Sequence, residues 1–307
     1  MRAEKRSRES YRRTLKEGGP ISLKAHPARR HEGDIMHVAK SPVVTMAPTT
    51  PVYDAIKIMA DRGFRRIPLT NPGTKALEGI VTATDIVDYL GGGEKFKIVQ
   101  DKFGGNIFKA INEPVRLIMT KNVVSVLDSA KISEAIDVMT GKNLGGLPVV
   151  DAENHVKAII TERDIANLFA DRISGVKVSE LMSDRVVAAL PKTTIFEAVK
   201  TMTSQGFRRL PIVAAGKVLG ILTAMDVIRF FGLGKVFAIL RSGTIIQALN
   251  TPALEIATKA VITITPGSDV GQAAKIMQEK DVGAVPVVEK EKIVGIITER
   301  DFFKIIA

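Results

Sequence analysis

The stretch Gly63-Phe64-Arg65-Arg66-Ile67-Pro68-Leu69 returns later in the chain as Gly206-Phe207-Arg208-Arg209-Leu210-Pro211-Ile212. A second pair of stretches follows the same plan without the arginines: Gly146-Leu147-Pro148-Val149-Val150 and Ala284-Val285-Pro286-Val287-Val288. Each of the four runs on into an apolar segment that ends in Thr-x-x-Asp. These endings are Thr82-Ala83-Thr84-Asp85, Thr161-Glu162-Arg163-Asp164, Thr223-Ala224-Met225-Asp226 and Thr298-Glu299-Arg300-Asp301. Internal recurrence of this kind marks a repeat architecture. The first and third copies resemble each other most, as do the second and fourth. A unit doubled into a pair, and the pair then doubled, accounts for the pattern.

Working outward, each unit opens on a short β-branched run: Val43-Val44-Thr45, Val123-Val124-Ser125-Val126, Val186-Val187-Ala188 or Val261-Ile262-Thr263-Ile264. Apolar residues at helical spacing come next, such as Val52, Ala55, Ile56 and Met59, or Val270, Ala273, Ala274 and Met277. A Gly or Asn turn then leads into the x-Pro-hydrophobic strand, a second strand follows, and a closing helix starts at the Asp. The order β-α-β-β-α predicts an α+β fold in which units too small to bury both sheet faces pair through their sheets. The expected divisions are a basic tail at 1–34, repeats at 35–93, 114–173, 174–233 and 252–307, and amphipathic insertions at 94–113 and 234–251. Phe96, Ile98, Val99, Phe103, Ile107, Phe108 and Ile111 mark the first insertion; Val236, Phe237, Ile239, Leu240, Ile245, Ile246 and Leu249 mark the second. Both end in Asn-x-Pro and are read as packing helices that bridge the units of one pair.

Composition removes several classes of function. The 307 residues contain no Cys, which excludes disulfides, thiolate metal sites and a cysteine nucleophile. The four histidines, His26, His31, His37 and His155, are mostly in or beside the tail, which argues against a zinc enzyme or a His-centred triad. No metal site and no catalytic residue is expected. Apolar runs are too short for a membrane span and the N-terminus lacks a secretory pattern, so a soluble cytoplasmic chain is expected. The net charge is +11, and residues 1–33 carry ten basic side chains against four acidic ones. With little apolar periodicity there, the tail reads as disordered, with a short helix near 8–16.

The repeated signature resembles the cystathionine-β-synthase (CBS) domain, here in four copies forming two tandem pairs over residues 35–307. Four-copy chains of this kind are similar to the gamma regulatory subunit of AMP-activated protein kinase and its stand-alone prokaryotic relatives. The resemblance implies a disc whose clefts bind adenine nucleotides (AMP, ADP or ATP) as regulatory ligands, without catalysis. It also implies that the backbone at Ile67 and Leu210 lies on the base side.

The residue chemistry can be argued independently. Asp85, Asp164, Asp226 and Asp301 sit at strand-to-helix junctions, where a carboxylate can accept from a ribose diol. Thr82, Thr161, Thr223 and Thr298 point from the strand ends toward the same place, and a helix N-terminus favours an anion. The competing reading is that Thr-x-x-Asp only caps a helix. Arg65, Arg66, Arg208 and Arg209 precede their strands, so one of each pair can reach a cleft and bind phosphate. Repeats two and four have Asn143-Leu144-Gly145-Gly146 and Asp281-Val282-Gly283-Ala284 there, and offer Arg163 and Arg300 instead, so binding limited to two of the four clefts is expected.

Other functions fit less well. The IMP dehydrogenase relatives of this domain need a barrel and a cysteine that the chain does not have. The basic tail supports only weak, salt-sensitive nucleic-acid affinity. S-adenosylmethionine and a ligand-independent scaffold are the alternatives. The implied partners are a small-molecule nucleotide and a regulated protein that the repeats do not identify. Two pairs in one chain can close a disc internally, leaving exposed helices for any homodimer.

Overall fold

The computed structural model describes residues 35–170, 174–234, 236 and 244–306. The reading of the basic tail lies outside them, as do Phe237, Ile239 and Leu240 of the second insertion. Every repeat is built on one antiparallel hairpin. β1 (Arg66–Thr70) pairs with β2 (Leu77–Thr82), and β4 (Gly146–Val150) with β5 (Val156–Thr161). β6 (Arg209–Ala214) pairs with β7 (Lys217–Thr223), and β8 (Ala284–Glu289) with β9 (Lys292–Thr298). The repeated proline sits opposite Ile80, Ile159, Ile221 and Ile296 in the four hairpins.

The opening runs are shorter than the sequence predicts. Only Val126–Leu127 forms a strand, β3, parallel to β4. In the other repeats a single parallel bridge forms, at Met46 or Ala189 just after the run or at Ile264, its last residue. The proline explains this. Its carbonyl accepts from Met46, Ala189 or Ile264, but it has no N–H with which the ladder could grow backward.

Helices Val52–Arg62, Ile132–Gly141, Ile195–Gln205 and Val270–Glu279 precede the hairpins. A left-handed residue separates helix from strand each time: Gly63, Asn143, Gly206 and Asp281, with φ between 52° and 70°. The closing helices Ala83–Gly91, Glu162–Asn167 and Ala224–Gly232 begin two residues before the Asp rather than at it. In the fourth repeat a 3-10 turn, Glu299–Phe302, leads into Phe303–Ile306.

Repeats pair through their sheets, each hairpin being extended by the segment leading into its partner. Thr120 bridges Ile80 and Lys40 bridges Ile159; Thr258 bridges Ile221 and Ser183 bridges Ile296. Helices join the two pairs. One core unites repeats 1 and 3, with Ile56, Met59 and Leu90 against Val199, Phe230 and Phe231. Two smaller cores join repeats 2 and 4, where Phe169 reaches Phe302 and Phe303 packs with Ile136. Close helix contact depends on two glycines. A Cβ on Gly91 would lie 2.6 Å from Val199, and one on Gly232 would lie 2.8 Å from Ala60. The result is a four-repeat disc.

The insertions do more than bridge a pair. The first forms Phe96–Phe103 and Ile107–Ile111, and the second includes Ile245–Leu249. Asn106 bridges Thr244, and the Ile245 N–H donates to Gly105, so the insertions meet each other across the two pairs. Phe96 also packs 6.0 Å from Phe196 of repeat 3. They join the core of repeats 1 and 3, which corrects the within-pair expectation.

Candidate functional site

The four Thr-x-x-Asp segments fold into one geometry. Each Thr caps its closing helix, and the Asp, third in that helix, reaches back to it in a capping box. In repeat 1 the Thr82 hydroxyl donates to Asp85 Oδ2 at 2.6 Å and accepts from the Asp85 N–H at 3.2 Å. The Thr82 N–H donates to the same Oδ2 at 2.8 Å. Asp164, Asp226 and Asp301 accept equivalent pairs of bonds from Thr161, Thr223 and Thr298. The threonine protons are therefore committed to the cap, and Oδ1 is the carboxylate oxygen left outside it.

A basic side chain stands at every Oδ1. Lys95 bonds Asp85, and Lys304 bonds Asp301 at 2.7 Å. Lys40 lies 3.6 Å from Asp164, and Arg229 lies 3.6 Å from Asp226. Lys95 and Lys304 also donate to the Ile118 and Leu181 carbonyls of the partner repeat, at 2.7 Å each. Burial raises the Asp226 carboxyl above its ordinary value, against the Thr223 bonds and Arg229. Ile67 and Leu210 are buried and paired across their hairpins with Val81 and Leu222, so their side chains face the core.

The arginines do not go to separate clefts. All six converge on the centre of the disc, around two glutamates that the sequence reading passed over. Glu162 and Glu299 are 1% and 2% exposed. Glu162 Oε2 accepts from Arg208, and its Oε1 from Arg300. Glu299 Oε2 accepts from Arg65 at 2.9 Å, and its Oε1 from Arg163 at 2.6 Å. Arg163 also bonds Asp281. Burial alone would raise the Glu299 carboxyl, but Arg65, Arg163 and Arg209 outweigh it and hold it at about 2. Glu162 is lowered in the same way by Arg208 and Arg300.

Arg66 and Arg209 have no carboxylate partner among the described residues. Desolvation and the neighbouring Arg208 lower Arg66 to about 10 and Arg209 to about 9. Both remain charged at neutral pH. The glycines of repeats 2 and 4 explain where they fit. The place of a Gly146 Cβ is 1.9 Å from Arg66 Nη1, and that of a Gly283 Cβ is 2.7 Å from Arg209 Nη2. The departure of repeats 2 and 4 from the Arg-Arg pattern is thus a pair of recesses that admit the arginines of repeats 1 and 3. Both arginines of each pair reach the centre, rather than one of each, because Arg65 and Arg208 lie just ahead of their strands.

Register ties the two halves of the site together. Arg66 pairs with Thr82 and Arg209 with Thr223, while Arg163 and Arg300 directly precede Asp164 and Asp301. Among the described residues the one cluster of metal-ligand type is Asp151, Glu153 and His155, and Asp151 already binds Lys157 at 3.0 Å and His155 at 3.1 Å.

Four hairpin repeats closed into a disc, each with a capped Thr-x-x-Asp beside a shared guanidinium centre, define a CBS-repeat protein. The chain belongs to the CBS domain family, which it matches over residues 33–92, 115–171, 178–232 and 253–307. MJ1225 of Methanocaldococcus jannaschii is 38% identical over 276 residues, covering 89% of this chain and 99% of that protein. Its crystal structure, presented as that of a proposed archaeal homologue of g-AMPK, matches with a TM-score of 0.84 over 89% of this chain and 100% of that one. A 33.4 kDa protein of the Thermofilum pendens ribosomal RNA operon is 32% identical over 265 residues, covering 86% of this chain and 88% of the relative. An uncharacterized protein of Pyrococcus horikoshii, 20% identical, shares the fold at a TM-score of 0.58 over 89% of this chain and 99% of its own.

Proposed function

We propose that the chain binds adenosine nucleotides without turning them over and acts as a regulatory protein. One observation carries the reading: six guanidinium groups meet at the centre against Glu162, Glu299 and the exposed Asp281, and among the described residues Arg66 and Arg209 are left without a carboxylate. Crowded, partly desolvated positive charge is costly, and such charge gathers where an anionic ligand is bound. The neighbouring Asp Oδ1 atoms supply acceptors for a ribose diol. The hydroxyl–carboxylate pairs near this centre, Thr82–Asp85 and its three counterparts, are spent in closing helix caps, so binding is the function the arrangement supports. The likeness to MJ1225, itself proposed as a g-AMPK homologue, supports the regulatory role.

The centre also ranks the ligands. AMP, ADP and ATP bring negative charge to it, whereas the sulfonium of S-adenosylmethionine brings positive charge. Calorimetric titration with adenosine, AMP, ATP and S-adenosylmethionine tests this. Binding should strengthen from adenosine to AMP, and the gain should shrink with added salt. Equal affinity for adenosine and AMP, or preference for S-adenosylmethionine, would overturn it.

A further inference from the structure

The two central glutamates are bonded to guanidinium groups of the kind an anionic ligand would need. Each is buried, and each has both carboxylate oxygens bonded to guanidinium groups, a contact set that phosphate shares. The exchange is reciprocal between the tandem pairs. Glu162 belongs to the first pair and holds Arg208 and Arg300 of the second. Glu299 belongs to the second and holds Arg65 and Arg163 of the first. Repeats 1 and 3 carry Ala83 and Ala224 at this position, so the carboxylate is specific to the repeats that contain the glycine recesses.

A second guanidinium waits beside each glutamate. The site of a Gly145 Cβ is 2.6 Å from Arg208 Nη1, 3.1 Å from Arg66 Nη2 and 3.3 Å from Glu162 Oε2. The site of a Gly283 Cβ is 2.7 Å from Arg209 Nη2, 2.9 Å from Glu299 Oε2 and 3.0 Å from Arg65 Nη2. A carboxylate, its present partner and an uncommitted arginine therefore border the same small space on both sides of the disc.

We propose, building on the nucleotide reading above, that Glu162 and Glu299 are resident competitors for phosphate. Each holds the arginines of the opposite pair until a ligand phosphate takes Arg208 or Arg65, and Arg66 or Arg209 then closes on the vacated carboxylate oxygen. Two effects follow. The glutamates hold affinity for phosphate below what the bare arginines would give, and a phosphate bound by one pair's arginines releases a glutamate of the other.

The test uses the full chain and its Glu162→Gln, Glu299→Gln and doubly substituted variants, titrated with adenosine and AMP. The ratio of AMP affinity to adenosine affinity should rise at least tenfold in the double variant, about 1.4 kcal/mol. A glutamate that only supports the fold leaves that ratio unchanged, and an unchanged or lower ratio overturns the proposal. If the double variant does not fold, the single variants carry the same comparison. A crystal structure of the wild-type chain with AMP gives an independent reading. Loss of the Arg208–Glu162 or Arg65–Glu299 contact supports displacement, and retention of both overturns it. Should wild type bind neither adenosine nor AMP, the nucleotide reading fails on its own. Pyrophosphate then serves as the probe: a larger thermal shift in the double variant than in wild type supports competition, and an equal shift overturns it.

Discussion

At the scale of single residues, each Thr-x-x-Asp unit gives its two side chains different work. The threonine closes the helix cap, whereas the aspartate does that with Oδ2 and meets a basic side chain with Oδ1. The two roles can be separated by mutation. Thr82→Ala with Thr223→Ala should lower stability by ~1 kcal/mol per cap and leave adenosine affinity close to wild type. Asp85→Ala with Asp226→Ala should lower stability and also weaken adenosine and AMP alike, read by calorimetry beside a urea melt. If the aspartate variants keep full affinity, the carboxylates are caps and nothing more. The neighbouring glycines give a second contrast. At Gly145 the nearest atoms to an added methyl are side-chain ends, of Arg208, Arg66 and Glu162, which can move. At Gly146 it would also lie 2.7 Å from the Ile160 carbonyl, which cannot. Gly146→Ala should therefore unfold at clearly lower urea than Gly145→Ala. The reverse order would show that the arginines, not the backbone, limit these positions.

At the scale of elements, what recurs locally is legible in the sequence and what depends on distant contacts is not. The hairpins, the left-handed turn before each x-Pro strand and the Thr-x-x-Asp junction follow from residues a few positions apart, seen four times over. The opening strands shrink because a proline's missing N–H acts on a segment some twenty residues away. Glu162 and Glu299 are harder still, because a glutamate beside an arginine at a helix start reads as solvated charge. Its burial appears only when Arg65 arrives from 234 residues earlier in the chain. The one available signal is that Glu-Arg stands before Asp in repeats 2 and 4, and Ala in the place of Glu in repeats 1 and 3. The glycine contacts between helices are equally invisible until the repeats pack. Gly232→Val should cost ~1–3 kcal/mol by overpacking against Ala60 and Ile56. An unchanged denaturation midpoint would mean that repeats 1 and 3 have room to separate there.

At the scale of the whole molecule, the charged centre should govern how the disc responds to acid. The Glu299 carboxyl is held at about 2 against an ordinary 4.5. A depressed folded-state value lends stability that is complete above the unfolded value and lost as pH falls toward the folded one. Glu162 is shifted in the same direction. Asp226, raised by burial, works the opposite way. Thermal melts of the wild-type chain should therefore fall between about pH 5 and about pH 2. Glu299→Gln should show a shallower fall over that window, and an identical fall would mean that Glu299 contributes no such linkage.

The near-symmetry of the centre is broken at the turn before the strand of repeats 2 and 4. Asp281 takes the left-handed turn in repeat 4 and binds Arg163, whereas the uncharged Asn143 occupies that turn in repeat 2. One half of the centre thus carries an extra negative charge. If both halves bind the same anion, they fill at different concentrations, the half without Asp281 first. Two equal sites would report one narrow interval of ligand concentration. Two unequal ones spread the response over a wider dynamic range, so that a single substitution at one turn sets how graded the signal is.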